Sequence, residues 1–183
     1  MNSNRTLPMA PALVLALALV PAAARAGDEP VTFQEHSLSG PRLGVSLVSG
    51  QNELSREIES RHMGRVLSQF GWQFERQIVP EGGGPQFVVE AVPMVAGVEY
   101  GKVIPNLTLA MGVRFPAGYE FGLGPNVIVL DGESKVRSAL VIALGRTFDY
   151  GGVSLPLNLV FATNPRGQRV SFILGYAVQR RRS

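Results

Sequence analysis

Bulky apolar residues alternate with small or polar ones over much of the chain from Arg42 to Val178. Leu107, Leu109, Met111, Val113 and Phe115 form one set, and Thr108, Ala110, Gly112 and Arg114 the other. The pattern repeats with Tyr119, Phe121, Leu123, Val127 and Val129 against Glu120, Gly122, Gly124 and Asn126. A period of two places alternate side chains on opposite faces of a strand. Eight strands are predicted: Arg42 to Val48, Val66 to Val79, Gln86 to Val98, Ile104 to Phe115, Tyr119 to Leu130, Val136 to Phe148, Val153 to Thr163 and Gln168 to Val178. Turn clusters separate them, including Pro116-Ala117-Gly118, Asp131-Gly132-Glu133, Asp149-Tyr150-Gly151-Gly152 and Asn164-Pro165-Arg166-Gly167. Connections this short make neighbouring strands antiparallel. The exception is Gly50 to Gly64, a long first loop whose Leu54 and Ile58, set among Glu53, Arg56, Glu57, Glu59 and Arg61, predict a short amphipathic helix.

The chemistry of the two faces decides which way a closed sheet is turned. A soluble barrel would bury the bulky face and show water a face rich in Lys and Glu. Here the second face is mostly glycine, alanine and small polar residues, which suit the narrow interior of eight strands. The bulky face is then left for lipid. The expected fold is an eight-stranded antiparallel up-and-down β-barrel of membrane type. Its interior polar residues would be Gln73, Glu75, Arg114, Glu120, Asn126, Asn158 and Arg169. The register can be set by pairing bulky with bulky. Phe115 opposite Tyr119 aligns Val113 with Phe121 and Arg114 with Glu120, while Thr163 opposite Gln168 aligns Phe161 with Val170. Phe148 opposite Val153 aligns Leu144 with Leu157. Pro93, Pro125 and Pro156 fall inside strands, where each removes a ladder donor and calls for a bulge or a break. Val88, Val92 and Met94 occupy the small face of a poorly alternating third strand.

The first residues carry a different grammar. Arg5, an apolar run from Ala10 to Val20 and the triplet Ala24-Arg25-Ala26 predict a secretory signal peptide over residues 1–26. Residues 27–41 read as a flexible periplasmic lead, 42–178 as the barrel and 179–183 as a basic tail. Export permits disulfides, but the chain has no cysteine. Its formal charge of +3 owes two units to Arg5 and Arg25, so the mature chain is left at +1 and no nucleic-acid partner follows.

These features resemble the small eight-stranded outer-membrane proteins, the group containing OmpX and the transmembrane domain of OmpA. The resemblance rests on the alternation, on Trp72 and Tyr176 as candidate girdle residues, and on the interior charges Glu75, Arg114 and Glu120. Ser68-Gln69-Phe70-Gly71-Trp72-Gln73-Phe74-Glu75 and Glu120-Phe121-Gly122-Leu123-Gly124-Pro125-Asn126 look like segments of uncharacterised bacterial barrels. It implies location in the outer membrane of a Gram-negative-type bacterium, contact with outer-membrane lipid and delivery by the barrel-assembly machinery. Such barrels usually end on an aromatic residue, whereas Tyr176-Ala177-Val178 is followed here by Gln179-Arg180-Arg181-Arg182-Ser183.

No catalytic residue, cofactor or metal ligand is predicted, and the chain is read as a noncatalytic barrel with a structural or loop-mediated binding role. Some barrels of this size modify lipid A with a histidine, a serine and a carboxylate, a reading that would fall on His62 with Ser60, Glu59 and Ser68. A solvated loop histidine is the commoner explanation. The other alternative is a soluble periplasmic barrel that binds an apolar ligand with its bulky face inward. Gly122-Leu123-Gly124-Pro125-Asn126 lacks the lysine and helix of a phosphate loop.

Overall fold

The computed structural model describes residues 32–50, 52–130 and 135–179. The proposed signal peptide, the Asp131-Gly132-Glu133 turn and the last four tail residues lie outside them. The strands are β1 (Phe33–Ser49), β2 (Val66–Pro80), β3 (Gln86–Ala96), β4 (Ile104–Arg114), β5 (Tyr119–Leu130), β6 (Lys135–Tyr150), β7 (Val153–Asn164), β8 (Gly167–Gly175) and β9 (Ala177–Gln179). A helix, α1 (Glu53–Ser60), follows β1, and a 3-10 turn spans Val98–Tyr100. Every consecutive pair from β1 to β8 is antiparallel, and β8 returns to β1, so the sheet closes. Pairing β9 with β1 in the register of β8 makes β8 and β9 one stave, interrupted only at Tyr176. The barrel therefore has eight staves.

Following paired residues once around the wall from Ser37 passes Arg76, Val89, Met111, Leu123, Ile142, Phe161 and Val170 and returns at Leu47, ten residues along β1. A stagger of that size goes with strands tilted by roughly 35–45° to the barrel axis. Both described termini and the turns 81–85, 115–118 and 151–152 lie at one end. The other end carries the α1 loop, the 3-10 turn, the turn after β7 and the adjoining ends of β5 and β6.

The structure corrects the sequence reading at the first strand, at the Gly151 hairpin and at Trp72. The stretch from Phe33 to Pro41, read as a lead, is the first half of β1 and pairs with β2 from Pro80 to Trp72. Its polar composition hid it, but the lower half of β2 needs a partner on its second edge. The three prolines, expected to bring a bulge or a break, are met by breaks in the ladder. At Pro93 and Pro125 the ladder to the preceding strand skips two residue pairs and resumes in the same register. Pro156 keeps its place opposite Thr147 and instead coincides with the interruption at Tyr176, which also faces Pro41. Finally, Phe148 pairs with Leu155 and Leu144 with Leu159, two residues from the expected register. Gly151 and Gly152 both have positive φ, 59° and 90°, which allows a two-residue hairpin to close directly on Tyr150 and Val153. A shift of two leaves every side chain on its expected face. The Phe115–Tyr119 and Asn164 hairpins have the expected registers.

Outward side chains are apolar around the whole wall. Leu43, Phe70, Leu109, Leu123, Leu144, Leu159 and Phe172 are each about half exposed. Trp72 is also outward, but it sits in the middle of β2 and not at a rim, contrary to the girdle assignment. An aromatic rim does exist at the terminus end, built from Phe33, Phe87, Phe115, Tyr119, Phe148 and Tyr150 at the ends of five different strands.

Candidate functional site: a plugged lumen

Inward positions carry the charged residues. Arg114 on β4 reaches across β3 to Glu75 on β2 at 2.6 Å and bonds Glu120 on β5 at 3.0 Å. Glu75 also accepts from Gln77 at 2.5 Å and from Gln73, while Thr147 donates to Glu120. Gln73 donates further to Glu90 at 3.2 Å, and Arg42, itself 3.8 Å from Glu90, donates to Asn158 at 2.5 Å. One chain of contacts thus joins β1 to β7. The remaining sequence-predicted residues form a second group, in which Arg169 on β8 donates across the lumen to Asn126 on β5 at 3.0 Å and Asn126 donates to Thr108 at 2.9 Å. Sequence reasoning placed seven residues on the inner face but missed Arg42, Gln77, Glu90 and Thr147. Arg42 lay at the start of the expected first strand, where alternation was too short to assign a face.

Val88, Val92 and Met94 fill the lumen beside this network, which explains the third strand's poor alternation. Internal voids of about 50 Å³ next to Arg42 and Glu90, and of about 20 Å³ under α1, have room for a few waters at most.

Helix α1 closes the loop end. Asn52 caps it, accepting from the Ser55 amide and donating its own amide to the Ser55 hydroxyl, both at 3.0 Å. Leu54 and Ile58 enter an apolar cluster with Val48, Met63, Leu67, Ala96, Ile104, Ile128 and Leu130. The polar side is held by Arg137, buried on β6, which bonds Glu53 at 3.1 Å and also Glu57. The Leu54 amide donates to the Arg166 carbonyl at 3.1 Å, and a Cβ at Gly167 would lie 2.7 Å from that of Leu54. We expect Arg137→Ala to leave the barrel folded but loosen the helix, because charged hydrogen bonds of this kind contribute about 1.5–3 kcal/mol. Trypsin cleavage after exposed Arg56 should then rise about tenfold. An unchanged cleavage rate would show that the apolar cluster holds the helix without the ion pairs.

The candidate catalytic set around His62 is not gathered. His62 is exposed with φ 60°, the Ser60 hydroxyl donates to the Glu57 carbonyl, Glu59 pairs with Arg65, and the Ser68 hydroxyl bonds Glu99. Among the described residues, no three His, Asp or Glu side chains form a metal-binding group.

The closed wall, apolar outside and charged within, is the fold of the small eight-stranded outer-membrane barrels. Solved structures of this fold include the attachment invasion locus protein Ail of Yersinia pestis in complex with the heparin analogue sucrose octasulfate. It is 11% identical, with a TM-score of 0.50 over 80% of this chain and 97% of Ail. The outer membrane protein Ail in a phospholipid bilayer nanodisc gives a TM-score of 0.50 at 10% identity, over 80% of this chain and 100% of that one. Neisserial surface protein A gives 0.46 at 9% identity, over 80% and 98%. No family model and no curated protein matches the sequence.

Proposed function

We propose that the chain is a noncatalytic outer-membrane barrel of a Gram-negative-type bacterium, exported by residues 1–26 and inserted by the barrel-assembly machinery. Its apolar wall contacts lipid, its lumen is a packed polar core, and the α1 end is the face presented outside the cell. The observation that carries this reading is the inversion of the faces. Large apolar side chains are exposed on every stave, whereas Arg42, Glu75, Arg114 and Arg137 are buried. Exposed apolar surface this extensive is not kept in water by a monomeric soluble protein, and a closed barrel leaves no strand edge unsatisfied in hydrocarbon. The soluble alternative required the bulky face inward, and the outward orientation of Leu109, Phe121 and Phe172 supports the membrane reading over it. The interior charges bind one another, which supports a structural role for them. The mature protein should fold in detergent to a β-rich species that migrates differently on a gel before and after boiling, and it should stay with membranes through a carbonate wash. Identical migration together with release by carbonate would count against insertion.

A further inference from the structure

One outward charge in the wall has no acidic partner. Among the described strand residues, the outward-facing charges are Glu35, Arg76 and Arg146, and the first two pair with each other at 3.8 Å. Arg146 on β6 has no carboxylate within ion-pair distance among the described residues. Instead its guanidinium carbon lies 5.0 Å from the ring centroid of Tyr119, its cross-strand partner, and 5.0 Å from that of Phe148, two residues along β6. Both rings belong to the aromatic rim at the terminus end, so the guanidinium is held at the level where such rims meet lipid headgroups. Cation–π contact with the two rings orients the planar group. It leaves the edge donors unused, and a guanidinium edge matches two oxygens of a phosphate.

We propose that Arg146, held against the rings of Tyr119 and Phe148, is a binding site for the phosphate of a phospholipid headgroup in the leaflet next to the chain termini. The inference rests on the outer-membrane reading above, which supplies the lipid. The two rings hold the exposed cation at the rim, and an anion beside it compensates the charge that an apolar wall cannot. The contact would fix the depth of β5 and β6 in the bilayer and give the barrel a preference for anionic lipid.

The test reconstitutes the mature protein in vesicles of phosphatidylcholine with phosphatidylglycerol, extracts it into neutral detergent and counts retained lipid by native mass spectrometry. Wild-type protein should keep a phosphatidylglycerol molecule, and Arg146→Gln should reduce the retained fraction about tenfold, as expected for losing a charged hydrogen-bonded contact. Arg146→Lys, which keeps the charge without the fork, should fall between them. Excess inorganic phosphate should leave the lipid adduct in place. Equal retention by wild type and Arg146→Gln, both inserted, would overturn the site alone, and displacement by inorganic phosphate would overturn its assignment to lipid. Failure of the wild-type protein to enter the vesicles would overturn the membrane reading and the site with it.

Discussion

Arg114→Ala should destabilise the folded barrel by about 3 to 5 kcal/mol, the cost of leaving buried charges without their partner. The loss falls in that range because Arg114 serves two carboxylates, and the Glu75 side chain is only 1% exposed while that of Glu120 is 10% exposed. The same exposures rank the partners. Glu75→Ala should approach the cost of Arg114→Ala, whereas Glu120→Ala leaves the shorter, drier pair intact and should cost roughly 1 to 3 kcal/mol. Removing Arg114 and Glu75 together should cost less than the sum of the single losses. Denaturant titration of the protein folded in vesicles measures all four corners of that cycle. Additive losses would mean that each side chain is satisfied by water or by Gln73 and Gln77, and that the bridge across β3 contributes no coupling.

Arginine on the outer wall should be costly according to depth. Leu109 lies midway along β4 and Phe172 midway along the stave formed by β8 and β9, and both are outward and about half exposed. Leu109→Arg and Phe172→Arg should each destabilise the inserted barrel by about 2 to 4 kcal/mol. Phe121→Arg, nearer the terminus end of β5, should cost less. Val136→Arg, at the loop end of β6, should cost about 0 to 1 kcal/mol because its cation reaches water. This gradient is more informative than any single value. Equal costs at Leu109 and Val136 would describe a wall that meets water along its whole height.

Much of the wall was legible in the sequence because a two-residue period and short turns constrain each other. Arg114 had to face Glu120 once Phe115 was placed opposite Tyr119, and the structure has that pairing. The bridge from Arg114 to Glu75 left no such trace, since a whole strand separates them and nothing local links positions 75 and 114. The first half of β1 was also hidden. Gln34, Glu35, His36 and Ser37 lack the apolar alternation of a strand, and it is the edge of β2, from Val79 to Arg76, that draws them into the sheet. The amphipathic pattern of residues 53–60 revealed a helix but not its seat, which depends on Arg137 from β6 and on the space at Gly167. The aromatic rim escaped notice for a related reason. Its members come from the ends of separate strands, whereas Trp72 stood out as the chain's one tryptophan.

That tryptophan gives the most direct measurement of whether the wall lies in hydrocarbon. Trp72 points outward from the middle of β2, beside Phe70 and Phe74, and is 45% exposed. In vesicles whose acyl chains carry bromine, its fluorescence should be strongly quenched, most of all when the bromine is placed near the bilayer centre, and aqueous iodide should have little effect. Quenching by iodide with no response to brominated lipid would place Trp72 in water and contradict an inside-out barrel in the membrane.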